Sequence, residues 1–383
     1  MSALKKGDHL YLVDGSGYLF RAYHALPPLT RKSDGLPVGA VSGYCNMLWK
    51  LLEDMKGGEA PTHLAVIFDA GEKTFRNDIY KEYKANRPPP PEDLIPQFPL
   101  VRDATRAFGV SCVELAGYEA DDLIATYARL AREAGARCTI ISSDKDLMQL
   151  VVDGKVELLD TMKNRRLASA EVLEKFGVAP DKVIHVQALA GDSIDNVPGV
   201  RGIGIKTAAQ LISEYGDLES LLGRAAEIKQ PKRREALIEN AGLARISKQL
   251  VTLVTDVELT TPLDDLRLPS LPAINMIAFF KALEFTTITR RVAELYGVEA
   301  GDIEADERLK IGGTEDPRAR MPAAAQGVLA IGAAPSASAG LPAASEEAGA
   351  AEPAAKAASA PVPAKGPTPI TLAAELQAEA ASG

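Results

Sequence analysis

Nine carboxylates fall in five short clusters within the first 195 residues of this 383-residue chain: Asp14 in YLVDG, Asp69 in LAVIFDA, Glu119, Asp121 and Asp122 in GYEADD, Asp144 and Asp146 in IISSDKD, and Asp192 and Asp195 in GDSIDN. Each cluster stands at the end of a strand-like run or the start of a helix-like one. Acids gathered at one point repel each other strongly, and the usual relief is a pair of hard divalent cations bound through oxygen. Chemistry of that kind points to metal-assisted hydrolysis of a phosphodiester, for which no histidine base is needed. Any one of these acids alone reads as a helix cap, but five clusters in equivalent positions do not. The four histidines lie outside the clusters, and His24, close to Asp14 in the chain, reads as a packing or surface residue.

The elements that would bring these acids together are legible in the same segments. HLYLVDG, THLAVIFDA and RCTIISSD are continuous runs rich in Leu, Val and Ile, separated by helix-length stretches. Strands buried on both faces read this way, and their alternation with helices implies a doubly wound, mostly parallel α/β sheet. Ligands of such sheets bind beyond the carboxyl ends of the strands, where Asp14, Asp69 and Asp144 would meet. GYEADDLIATYARLAREAGA places Leu123, Ile124, Tyr127, Leu130 and Ala131 at helical spacing, so Glu119, Asp121 and Asp122 fall at or before a first turn whose dipole favours anions.

Two further constellations concern grip rather than chemistry. In NVPGVRGIGIKTAAQLISEYG, Gly199, Gly202 and Gly204 permit a tight turn between helices, with Lys206 and Thr207 opening the second helix. Such a helix-hairpin-helix holds a nucleic-acid backbone without reading bases, since glycine lets backbone N–H groups approach a phosphate. In FRNDIYKEYKANRPPPP, Arg76, Lys81, Lys84 and Arg87 recur at spacings of 3 to 5 with Tyr80 and Tyr83 between them. A helix here would present cations and stacking rings together, as proteins that hold single-stranded nucleic acid do.

Composition sets the bounds. The 46% hydrophobic content suffices for a substantial core. Residues 301–383 carry 11 acidic and 6 basic side chains, no aromatic residue and long Ala/Pro/Ser stretches, so they read as a disordered linker. Residues 1–300 keep 37 basic and 41 acidic side chains, a net charge of −4 against −9 for the whole chain. Metal neutralisation of the clustered acids would reverse that sign, so global acidity does not exclude a polyanionic substrate. Cys45, Cys112 and Cys138, odd in number and without C-x-x-C spacing, fit a reducing cytosol and argue against a zinc site or a disulfide framework. No apolar run of membrane-spanning length and no apolar leader appear, and a soluble, unexported protein is expected.

VDGSGYLFRAYHALPPLT, FDAGEKTFR, YKANRP, GYEADD, SSDKDLMQL and GDSIDNVPGVRGIGIKTA together resemble the 5′-nuclease domain of bacterial DNA polymerase I, within the flap endonuclease superfamily, over roughly residues 8–291. The resemblance implies a PIN-like α/β core with a helical arch over residues 1–175, an all-α helix-hairpin-helix subdomain over 176–300, and the tail 301–383. It implies that all nine acids belong to the site of two Mg²⁺ or Mn²⁺ ions, roughly 4 Å apart, that activate water and stabilise the leaving 3′ oxygen. Lys84 and Arg87 match cations that contact the scissile phosphate, with Tyr83 stacking beside them. Arg21, Tyr23 and Arg76 lie in matching motifs, and Arg21, Arg76, Tyr80, Lys81, Tyr83 and the hairpin residues 199–207 are assigned to DNA. The resemblance also implies a potassium ion at the hairpin, DNA with a 5′ flap, nick or RNA primer as partner, a monomer, and a cytoplasmic, nucleoid-associated location. It further implies that, without the polymerase part of such a protein, these 383 residues extend no primer. A PIN-like ribonuclease acting on single-stranded RNA is the alternative, and it leaves the helix-hairpin-helix unexplained; a DNA-binding module without catalysis leaves the full acid set unexplained.

Overall fold

The computed structural model describes residues 4–55, 60–71, 73–268 and 270–309. The chain opens with β1 (His9–Asp14), α1 (Gly15–Ala25), α2 (Gly39–Asp54) and β2 (His63–Ile67), then α3 (Phe75–Ile79), α4 (Gln97–Ala107), β3 (Ser111–Val113), α5 (Ala120–Glu133) and β4 (Arg137–Ile141). β5 (Val156–Asp160) and β6 (Arg165–Leu167) complete one sheet of order β3-β2-β1-β4-β5-β6, parallel throughout except for antiparallel β6. Helices then run as α6 (Ser169–Phe176), α7 (Val183–Ala190), α8 (Ile205–Tyr215), α9 (Leu218–Gly223), α10 (Pro231–Glu239), α11 (Ala241–Val251), α12 (Ala273–Ala282) and α13 (Thr286–Tyr296).

The three apolar runs are the three central strands, and each is buried on both faces. Alternation along β1 sends Leu10 and Leu12 into the layer of α5, with Leu123, Ile124 and Tyr127, and sends Tyr11 and Val13 into the layer of α1 and α2, with Leu19, Leu48 and Trp49. Each such aliphatic side chain contributes roughly 1.5–3 kcal/mol by leaving water. The first layer continues into α7, α8 and α9 through Val186, Leu189, Leu211 and Leu218, so the sheet and the helical half share one core.

α12 and α13 return to the other face. Phe280 meets Phe108 of the α4 C-cap with ring centroids 5.7 Å apart, and Leu309 is buried in the same core. The Leu309 carbonyl accepts a hydrogen bond from Arg31 Nη1 at 2.5 Å. Residues 301–309, expected to begin the linker, are therefore part of the folded body; the rest of the expected tail lies outside the described residues.

The segment expected to form an arch helix differs as well. α3 stops at Ile79, and residues 81–86 are turns. Tyr80 is extended at φ −145°, and Lys84 adopts a left-handed φ of 56°, both incompatible with a continuing helix, while the prolines from 88 to 91 bar any restart. The helix-hairpin-helix is present as α7, a loop and α8. Gly199 (φ 61°) packs so closely on Gly191 that an added Cβ would lie 2.5 Å from the Gly191 nitrogen. Only glycine fits that crossing.

Candidate active site

At the carboxyl edge of the sheet, short polar links lock strand ends to helix starts. Asp14, last residue of β1, accepts a hydrogen bond from the Gly17 amide (2.7 Å), capping α1, and one from Ser142 Oγ (3.0 Å) beyond β4. Asp69, beyond β2, accepts from Ser16 Oγ (2.7 Å) and from the Ala120 amide in the first turn of α5 (2.9 Å). Arg102 of α4 fixes that same loop by donating to the Asp69 carbonyl at 2.8 Å while its Nε pairs with Glu114 at 2.6 Å. Asp144 accepts from the Asp146 amide (2.8 Å), and its own amide donates to Ser142 Oγ. Asp14, Asp144, Ser142 and Arg21 line one cleft of ≈ 290 Å³.

The charges of these acids act on one another. Burial pushes the Asp121 carboxyl well above the usual range, and the charges of Asp144, Asp14, Asp69 and Glu119 push it further. Asp14 rises to about 6, through burial first and then the charges of Asp69 and Asp144, against the hydrogen bonds from Gly17 and Ser142. Asp146 also rises to about 6, by burial and the neighbouring Asp144, although Gln187 of α7 donates to it at 2.5 Å.

The second group of acids is held by cations. Asp192 pairs with Lys145, and despite burial that ammonium and the Ile194 amide hold its carboxyl below the usual range. Asp195 accepts from Arg87 at 2.5 Å and lies 3.9 Å from the Lys84 ammonium, which reaches Glu119 at 2.9 Å. Lys84 thus bridges acids from α5 and from the hairpin loop, and Glu119 and Asp69 add to the charges that favour its protonated form against the cost of burial.

Three expected site residues, Arg76, Asp122 and Tyr83, are structural instead. Arg76 is 1% exposed and donates to both oxygens of fully buried Asp122 at 2.7 and 2.8 Å, and to the Leu250 carbonyl at 2.8 Å. The Asp122 oxygens also accept from the Glu119 and Val254 amides, which leaves them no room for a metal and leaves Arg76 no route to DNA. Tyr83 is 6% exposed, with its hydroxyl donating to Glu119 at 3.3 Å, so its ring is covered rather than offered to a base. Tyr80 packs beside it in a small apolar cluster, while Lys81 is exposed. Arg21 keeps its place at the acid cleft, donating to Thr161 Oγ1 (3.1 Å) and Ser143 Oγ (3.4 Å). Gly202, Gly204 and Lys206 are exposed on the hairpin, and Thr207 is half-buried. Ser16, Ser142, Arg102 and Gln187 orient the acids, yet a serine or a helix arginine carries no sequence signal by itself beyond its DGSG or SSDKD surroundings.

The remaining donors are carboxylate oxygens, the set that hard divalent cations take. Among the described residues no three acids stand in one finished coordination cage, so the fit rests on donor chemistry and on the mutual repulsion around Asp121.

Comparison with known proteins follows the same outline. The family described as 5'-3' exonuclease, N-terminal resolvase-like domain, matches residues 9–177, and that described as 5'-3' exonuclease, C-terminal SAM fold, matches residues 178–273. DNA polymerase I of Rhizobium leguminosarum is 61% identical over 304 residues, covering 79% of this chain and 30% of that protein, so the chain spans about a third of such relatives. The 5'-3' exonuclease of Aquifex aeolicus is 36% identical over 290 residues, 75% of this chain and 96% of that one. The solved T5 5'-exonuclease with divalent metal ions (zinc) bound shares the fold, with a TM-score of 0.55 at 23% identity over 75% of this chain and 98% of that one. Sheet, acid edge and hairpin all fall inside the matched segments, and the chain belongs to the 5'-3' exonuclease family, corresponding to the exonuclease domain of DNA polymerase I.

Proposed function

We propose that this phosphodiesterase is a metal-dependent, structure-selective 5′ nuclease that removes DNA and RNA-primer 5′ ends at flaps and nicks during replication and repair. The observation that carries the reading is the linkage of the acids at the carboxyl edge of the sheet, where Ser142 joins Asp14 to the Asp144 amide and Asp69 accepts from Ser16 and from the Ala120 amide beside Asp121. These acids, with Asp146, Asp192 and Asp195, would hold two Mg²⁺ or Mn²⁺ ions. Bound there, the ions would supply Lewis-acid polarisation of the phosphodiester and activation of water. The chain's own contribution is orientation. Lys84, Arg87 and Arg21 offer cations beside the acids for the scissile phosphate, and the exposed Gly202, Gly204 and Lys206 of the hairpin grip the duplex backbone. A potassium ion at that turn, a monomeric state and a cytoplasmic, nucleoid-associated location complete the proposal; no helix of the described residues is long and apolar enough to cross a membrane.

The test is cleavage of a 5′-flap duplex and of a single-stranded RNA oligomer of equal length, with Mg²⁺, Mn²⁺ or excess EDTA. Flap cleavage that needs the metal is the expected result. Undiminished cutting in EDTA would sink the metal reading, and preference for the RNA oligomer would favour the ribonuclease alternative. Asp69→Asn and Asp144→Asn should lower the single-turnover rate by at least about 100-fold while changing flap affinity in Ca²⁺ far less.

A further inference from the structure

The loop that carries Lys84 and Arg87 is not free-standing. Its turn, residues 82–87, lies against the hairpin loop, residues 192–196, more than a hundred residues away in the chain, and the two are tied from both sides. Asn196 Nδ2 donates to the Glu82 carbonyl at 2.7 Å, and Asn86 Nδ2 donates to the Ser193 carbonyl at 2.8 Å. Between them the Lys84 amide donates to the Asp195 carbonyl at 2.9 Å. Asn77 Nδ2 secures the near side by donating to the Tyr83 carbonyl at 3.1 Å.

Backbone geometry points to the same place. Of the four described non-glycine residues with positive φ, two are Lys84 and Asn196, both at 56°. Left-handed backbone at non-glycine residues persists only where the surroundings hold it, and it gathers at functional sites. Here it turns the Lys84 side chain toward Glu119 and Asp195 and the Asn196 amide back toward Glu82.

We propose that Asn196 is a positioning residue for the nuclease reaction: it clamps the turn of Lys84 and Arg87 onto the hairpin loop and thereby fixes where those cations stand relative to the acids. The clamp joins the group that steers the scissile phosphate to the element that grips the duplex. The role rests on the nuclease reading above, while the clamp itself does not.

Asn196→Gly is a clean probe, because glycine accepts φ 56° and only the amide is lost. Misplacing a phosphate-steering cation should lower single-turnover 5′-flap cleavage about tenfold, with flap affinity in Ca²⁺ held within about twofold. In a Lys84→Ala/Arg87→Ala background the same change should cost almost nothing further, because Asn196 acts through those two cations. Amide hydrogen exchange of the metal-free protein should show protection lost over residues 82–87. Asn86→Ala, an exposed substitution on the opposite turn, should reproduce both effects if Asn196→Gly folds poorly. Unchanged exchange, an undiminished rate, or a full tenfold loss persisting in the Lys84→Ala/Arg87→Ala background would each overturn the assignment. A wild-type chain that cuts no flap DNA would overturn the nuclease reading and the positioning role with it, leaving the exchange result to report the clamp alone.

Discussion

Asp121 and Asp122 are neighbours in the first turn of α5 with opposite work. Asp121 is pushed toward protonation by burial and by the charges of the other acids, whereas Asp122 is sealed under Arg76 and the two backbone amides of Glu119 and Val254. Nothing in GYEADD separates them, because a one-residue step moves a side chain by about 100° around a helix and only the packed structure says which face is dry. For the same reason the spacing of Arg76 with Lys81 and Lys84 suggested a shared cationic surface that the fold does not make. Replacing one partner of a buried pair strands the other, so Arg76→Ala or Asp122→Asn should cost about 3–5 kcal/mol, read as a lower denaturation midpoint. Asp121→Asn should leave the metal-free protein at least as stable as the wild type, because it removes repulsion, while lowering cleavage at least about 100-fold. Equal loss of stability from Asp121→Asn and Asp122→Asn would refute this division.

Elements with a strong local signature were legible before the fold. The three apolar runs became β1, β2 and β4, the 3.6-residue pattern became α5, and the glycine-punctuated segment became the hairpin between α7 and α8. The arch was not, because a helix and a cation-rich turn share composition, and the left-handed Lys84 that decides between them is imposed by a hairpin loop more than a hundred residues further on. At the hairpin, Gly204 is the N-cap of α8 and supplies no side-chain cap, so the helix's first amides and exposed Lys206 are open to a phosphate. Lys206→Ala should therefore weaken binding to duplexes of any sequence and lower the salt slope of affinity by about one. Affinity titrations at several salt concentrations on two unrelated duplexes check this, and a sequence-dependent loss would contradict it.

On the scale of the molecule, one sheet carries a different task on each face and a third at its edge. The face covered by α2, α4, α12 and α13 is closed by residues read as linker, since Leu309 is buried and its carbonyl holds Arg31, so a chain ending at 300 should melt several degrees below one ending at 309. The acid edge instead opposes folding when no metal is present. Asp14 titrates near 6 in the folded protein against 3.8 as its ordinary value, so between those values the folded state binds more protons than the unfolded one. Its stabilising share is then complete below pH 3.8 and lost as pH rises through 6. His63 and His185, lowered by burial, act in the opposite direction over part of that window, so the informative quantity is a difference between two proteins. Asn at position 14 keeps an oxygen for the Gly17 amide but carries no charge. In EDTA at pH 7.5, Asp14→Asn should exceed the wild type by on the order of 2 kcal/mol, and the gap should close by about pH 4.5 as Asp14 takes up its proton. Mg²⁺ should reverse the order at pH 7.5, since the cation favours the ionised acid. A gap in EDTA that stays constant from pH 7.5 to 4.5 would show that Asp14 is not held in the repelling edge described here.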